Sequence, residues 1–155
     1  MCELEIRMAS LDEVGVLADL RASWSSGGDV AADSGFVGEF SEWFAAELQH
    51  RRFWIAWRRA GDGTERAIGM VNMLVFTRMP AKGKAAGAWG YLGNMFVRER
   101  ERNSGVGAEL LAVLLRYADD NSLVRVVLNP SERSRPFYAR HGFAPADDGL
   151  LIRPG

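Results

Sequence analysis

The chain has 155 residues, 48% hydrophobic and 25% charged, which fits one globular domain over residues 1–155 with a normal core. A net charge of −1 spreads no basic field over the molecule, so neither nucleic acid nor an anionic membrane is an expected partner. One cysteine, Cys2, and two histidines exclude an intrachain disulfide framework and argue against a metal site.

Glu3 and Glu5 break any signal-peptide pattern. The longest uncharged run, residues 85–97, is too short and glycine-rich to span a bilayer, so a cytoplasmic protein is expected. Residues 4–8 alternate apolar and charged side chains, as a half-buried strand does. Ser10 and Glu13 form a capping-box pattern before a helix starting near Leu11, with Val14, Leu17, Ala18 and Trp24 on one face. Small polar residues from Ser25 to Gly35 read as a loop. Residues 36–49 read as a second helix, with Phe36, Phe40, Trp43, Phe44 and Leu48 on its apolar side.

Strands are predicted over residues 53–57, 67–77 and 89–97, with turns at residues 60–64 and 80–83. Val106, Leu110, Leu111, Leu114, Leu115 and Ala118 then mark a third helix. Residues 123–129 read as a strand. Pro136 suits the start of a short helix and Gly142 its end. Residues 149–153 are expected to add a last strand. The order predicts an α/β (α+β) domain, a mixed sheet covered by helices.

Between the third central strand and the helix that follows lies Arg102-Asn103-Ser104-Gly105-Val106-Gly107. Unpaired N–H groups at a helix start carry partial positive charge, and glycines let an anion approach the main chain. The pattern suits a phosphate or pyrophosphate. Taken alone, it also fits an ordinary strand-to-helix turn or a nucleotide-binding module.

Further residues narrow that choice. Met95-Phe96-Val97 ends the strand before the loop. Asn129 ends the strand after the helix, and Tyr138-Ala139-Arg140-His141-Gly142-Phe143 follows at short range. With Arg102, Gly105 and Gly107, this set resembles the GNAT superfamily of acyl-CoA-dependent N-acetyltransferases over about residues 91–143. The resemblance implies a single domain with a mixed, mostly antiparallel central sheet flanked by about four helices. It also implies acetyl transfer from acetyl-CoA, without a metal, to a primary amine on a small molecule or peptide.

In that family the loop amides, here those of Arg102, Asn103, Ser104, Gly105, Val106 and Gly107, hold the pyrophosphate. Main-chain groups of Met95, Phe96 and Val97 line the pantetheine arm, and Asn129 is placed to bond its amides. The resemblance makes Tyr138 the general acid that protonates the departing thiolate, and Met95 N–H a donor to the oxyanion. Tyr138 and Asn129 also fit plainer roles, a core tyrosine and a strand-end turn residue.

Many family members carry a carboxylate base on the central strand; here Gly93 and Asn94 stand in its place. Glu99, Asp29 and Asp33 are candidate substitutes, each equally at home as a solvated surface acid. Trp24, with Asp29, Asp33 and Asn94, is a candidate acceptor wall, because a cationic amine is attracted to ring faces. The absent base leaves a non-catalytic acyl-CoA sensor as the alternative. A homodimer through the sheet edge or the last strand is also possible.

Overall fold

The computed structural model describes residues 2–147 and 149–155. Five strands form one sheet in the order β1-β2-β3-β4-β5: β1 (Glu3–Met8), β2 (Arg51–Arg59), β3 (Glu65–Thr77), β4 (Ala88–Val97) and β5 (Val126–Leu128). The first four are antiparallel neighbours, and β5 joins β4 in parallel. The helices are α1 (Val14–Ser26), α2 (Ser34–Glu47), α3 (Val106–Asp120) and α4 (Arg135–Arg140).

Local chemistry sets the joints. The Glu13 carboxylate accepts from the Ser10 N–H (3.0 Å) and hydroxyl (3.2 Å), opening a 3₁₀ turn before α1. Asp33 caps α2 by accepting from Phe36 N–H at 2.9 Å. At the β2–β3 turn, Asp62 Oδ1 accepts from Thr64 N–H (2.9 Å) and Oγ1 (2.7 Å).

The sheet separates two cores. On one face Phe53, Ile55, Met70 and Phe96 pack against Leu17 and Leu20 of α1 and Phe40 and Phe44 of α2. On the other, Trp54, Ile68, Val71, Met73 and Leu92 meet Leu110, Leu111 and Leu114 of α3 and Tyr138 of α4. Period-two alternation sends neighbouring strand residues into opposite cores.

The expected elements form, with one exception. Residues 149–153 are not a strand: Leu150, Leu151 and Ile152 are 72%, 94% and 87% exposed. Their apolar run is three residues long between Gly149 and Pro154, with no alternation to set a buried face. The strand expected over residues 123–129 narrows to Val126–Leu128. Leu123 N–H instead bonds Ala118 O at 2.9 Å, closing the turn out of α3.

Candidate active site

The site is built where β4 and β5 part. Their parallel pairing runs only from Gly90 with Val126 to Leu92 with Leu128. Beyond it, β4 continues to Val97 while the chain after β5 turns away at Pro130. The cause sits in β4 itself. The β3 register passes from Asn72 opposite Asn94 to Met73 opposite Leu92, so Gly93 is an extra, bulged residue.

The bulge resets which main-chain groups face outward. Arg98 N–H donates to Ile68 O at 2.8 Å, toward β3. Antiparallel alternation then turns Asn94 and Phe96 toward β3, and Met95 and Val97 toward the open side. Arg102 Nε donates to Val97 O at 3.0 Å from that open side. The exposed main chain of Met95 and Val97 is an edge on which an extended, amide-bearing ligand can add as a strand.

At the end of this edge the chain turns into α3. Asn103 and Gly105 take positive φ, 59° and 88°, and no side chain caps the helix start. The first-turn amides from Val106 onward therefore point outward without helical partners. A Cβ on Gly107 would lie 3.6 Å from Phe137 and 3.8 Å from Met95, so the helix start, β4 and α4 meet there. An anion at the loop and an extended chain along β4 fit one continuous ligand.

Tyr138 on α4, 8% exposed, borders a cavity of about 550 Å³ beside β5 and Pro130, with Phe137 and Phe143 rings edge-on at 5.1 and 5.7 Å. Burial pushes its phenol above the usual value, so the group holds its proton at neutral pH and can donate it. Asn129 is exposed, one residue past β5.

The acceptor-side candidates divide. Trp24, Asp29 and Glu99 line one cleft of about 340 Å³, with Phe96 and Arg102. Trp24 stacks on Phe96 at 5.9 Å. Asp29 is already paired: Arg98 Nη1 donates to it at 2.9 Å and Arg66 bonds its other oxygen. The Arg98 hydrogen bond foremost, aided by Arg66, holds its carboxyl below the usual range, which disfavours Asp29 as a proton acceptor at neutral pH. Asp33 is spent on the α2 cap. Asn94 lies apart, in a second cavity of about 370 Å³ under α2, with Arg21, Phe40, Trp43, Phe53, Met70 and Asn72. Sequence reasoning missed Arg51 and Asn72, which bond each other beneath the bulge at 2.7 Å. The signal was an asparagine inside the nearly all-apolar run of β3.

A mixed sheet opened at a β4 bulge, with a glycine loop at the opening, is a scaffold for an extended ligand that ends in an anion. The profile of the Acetyltransferase (GNAT) family matches residues 17–143, and the chain belongs to that family. It is 28% identical over 80 residues to the glucosamine 6-phosphate N-acetyltransferase of Trypanosoma brucei brucei, a match covering 52% of each chain. The chain thus aligns with about half the length of that curated relative. A predicted acetyltransferase from Clostridium acetobutylicum, solved with acetyl-CoA, superposes with a TM-score of 0.72 at 20% identity, covering 97% of this chain and 96% of that one. AAC(6')-Iy with the bisubstrate analog CoA-S-monomethyl-acetylneamine gives 0.69 at 20% identity, covering 99% of each chain. No helix among the described residues is long and apolar enough to cross a membrane.

Proposed function

We propose that the protein transfers an acetyl group from acetyl-CoA to a primary amine by direct attack on the thioester. The observation that carries this reading is the open β4 edge leading straight into the uncapped, glycine-bearing start of α3. The amides of residues 102–107 receive the pyrophosphate, and Met95, Phe96 and Val97 supply the strand for the pantetheine arm. Asn129 closes the far side of the arm.

The amine nitrogen forms a bond to the thioester carbonyl carbon while the carbonyl oxygen gains charge. Met95 N–H, turned to the open side, stabilises that charge. The carbon–sulfur bond then breaks, and Tyr138 gives its proton to the departing sulfur. No carboxylate stands at the bulge, so the amine's proton leaves through water. Glu99 is the acid on the Trp24 cleft that no ion pair or side-chain hydrogen bond engages among the described residues. The relatives' own acceptors, by their names, include an amino-sugar phosphate and an aminoglycoside. Both are primary amines, the class proposed here.

Calorimetric titration with acetyl-CoA, with ATP in parallel, tests the reading. Binding of acetyl-CoA without ATP is the expected result. Equal binding of both would favour a nucleotide module. Acetyl-CoA binding without turnover against any amine would favour a sensor.

A further inference from the structure

Beneath the bulge runs a chain of hydrogen bonds that the acetyl-transfer steps leave unused. Arg51 Nε donates to Glu47 at 2.8 Å, and its Nη1 donates to Asn72 Oδ1 at 2.7 Å. Asn72, 2% exposed, donates from Nδ2 to Asn94 Oδ1 at 3.1 Å. The direction of this chain is forced. A guanidinium can only donate, so the Asn72 atom facing it is oxygen. Asn72 then has only its NH₂ to offer Asn94, which must turn its own oxygen inward. The NH₂ of Asn94 is left outward, with no hydrogen-bond partner among the described residues.

Gly93 makes room for this arrangement. A Cβ there would stand 2.8 Å from Asn72 Oδ1 and 2.9 Å from Arg51 Nη1. Thus the strand position that carries a carboxylate in the resembled family is given over to a relay that ends in a donor. Asn94 borders the cavity under α2, whose walls include Phe40, Trp43, Phe53 and Met70. Arg21 and Glu39 line it too; Arg21 donates to Ser25 Oγ at 2.9 Å and lies over the Trp24 ring at 4.9 Å. The cavity therefore offers one oriented N–H donor and an apolar wall, with the charged groups of Arg21 and Glu39 also on its lining.

We propose that Glu47, Arg51 and Asn72 are positioning residues that fix Asn94 as a hydrogen-bond donor to the acceptor, and that the acceptor is an α-amino carbonyl compound with an apolar side chain, as in an amino-acid amide or a peptide N-terminus. This rests on the acetyltransferase reading above. Asn94 directly precedes Met95, the assigned oxyanion donor. The two groups are neighbours on β4, so the oxygen that bonds Asn94 belongs close to the attacking nitrogen. A carbonyl on the adjoining carbon meets this spacing, and the side chain enters the aromatic cavity.

The test compares kcat/KM for leucinamide and for 3-methylbutylamine, the same apolar amine without its carboxamide. The two differ in basicity, so the readout is the change of their ratio between variants. Asn94→Asp still accepts from Asn72 but presents oxygen outward. The ratio is expected to fall about tenfold, through KM of the amide, the size of one net hydrogen bond. Arg51→Met, which frees Asn72 to flip, is expected to lower the ratio likewise, and Arg51→Lys to restore it. An unchanged ratio in Asn94→Asp overturns the proposal, as does a wild type that acetylates amines but not leucinamide. Should Arg51→Met fail to fold, Asn94→Asp decides alone. Acetyl-CoA titration of the same wild-type preparation separates the two levels. Absent binding sinks the acetyltransferase reading and this inference together; binding with a ratio unmoved by Asn94→Asp sinks this inference alone.

Discussion

Tyr138 combines burial in the α3–α4 core with the acid role proposed for it, and a substitution can separate the two. Phenylalanine keeps the ring, its contacts with Phe137 and Phe143 and the core volume, and removes only the hydroxyl. Tyr138→Phe is expected to lower kcat about 100-fold, the usual worth of a positioned acid, with unchanged acetyl-CoA affinity and thermal midpoint. Steady-state kinetics beside a calorimetric titration checks this; an unchanged kcat would leave Tyr138 a core residue. Tyr138 was singled out because Tyr138, Gly142 and Phe143 resemble the family motif, and its burial is what the fold adds. The acids were not legible in the same way. Sequence spacing says nothing of long-range partners, and Asp29 meets Arg66 and Arg98 only when the α1–α2 loop folds onto β3 and β4. Asp33 was readable as a helix cap, since it stands three residues before Phe36, whose N–H it takes.

The two glycines at the start of α3 do different work, and alanine at each gives opposite outcomes. Gly105 sits at φ 88° with open space around its missing Cβ, so alanine there meets only backbone strain. Gly105→Ala is expected to cost about 1 kcal/mol, or roughly 3 °C in Tm. Gly107 lies within the helix without positive φ, and a methyl there would point between Met95 and Phe137. Gly107→Ala is expected to hold or raise Tm, since alanine favours helix, while weakening acetyl-CoA binding about tenfold by narrowing the approach to the amides. Thermal melts and titration of both variants give the comparison; a Gly107→Ala protein with wild-type affinity would place the ligand elsewhere. Elements were readable where one period dominates, as in α3 and β1. The missing strand at residues 149–153 shows the limit. Leu150, Leu151 and Ile152 are apolar enough for a strand, but a strand exists only against a neighbour's hydrogen-bonding edge, and composition does not supply one. The Gly93 bulge was equally hidden, because an extra residue in a ladder is a property of two strands at once.

At the scale of the whole molecule, two exposed ion clusters bridge neighbouring elements at the surface. At one end of the sheet, Glu65 on β3 accepts from Arg7 on β1 at 3.1 Å and from Arg59 on β2 at 2.7 Å. These hydrogen bonds hold its carboxyl down at about 2, against an ordinary 4.5. Next to it, through Arg66 on β3 and Arg98 just after β4, Asp29 ties down the loop after α1, and its carboxyl is lowered as well. A carboxylate whose folded value is depressed adds stability above the unfolded value and loses it as pH falls through the folded one. Between about 4.5 and 2 the unfolded chain binds more protons than the native chain at Glu65, so stability falls as the medium is acidified through that window. Both acids are exposed, so screening by solvent and salt keeps the effect small. The urea midpoint is therefore expected to drop between pH 5 and pH 2.5, and Glu65→Gln to flatten that drop. Asp29→Asn is expected to flatten it too. It is expected to leave KM for the amine unchanged, because Asp29 lines the Trp24 cleft and not the cavity that holds Asn94. A midpoint that falls equally in Glu65→Gln and wild type would assign acid sensitivity to other carboxylates. A raised KM for the amine in Asp29→Asn would place the acceptor in the Trp24 cleft instead, and equal values make the loop anchor a matter of stability alone.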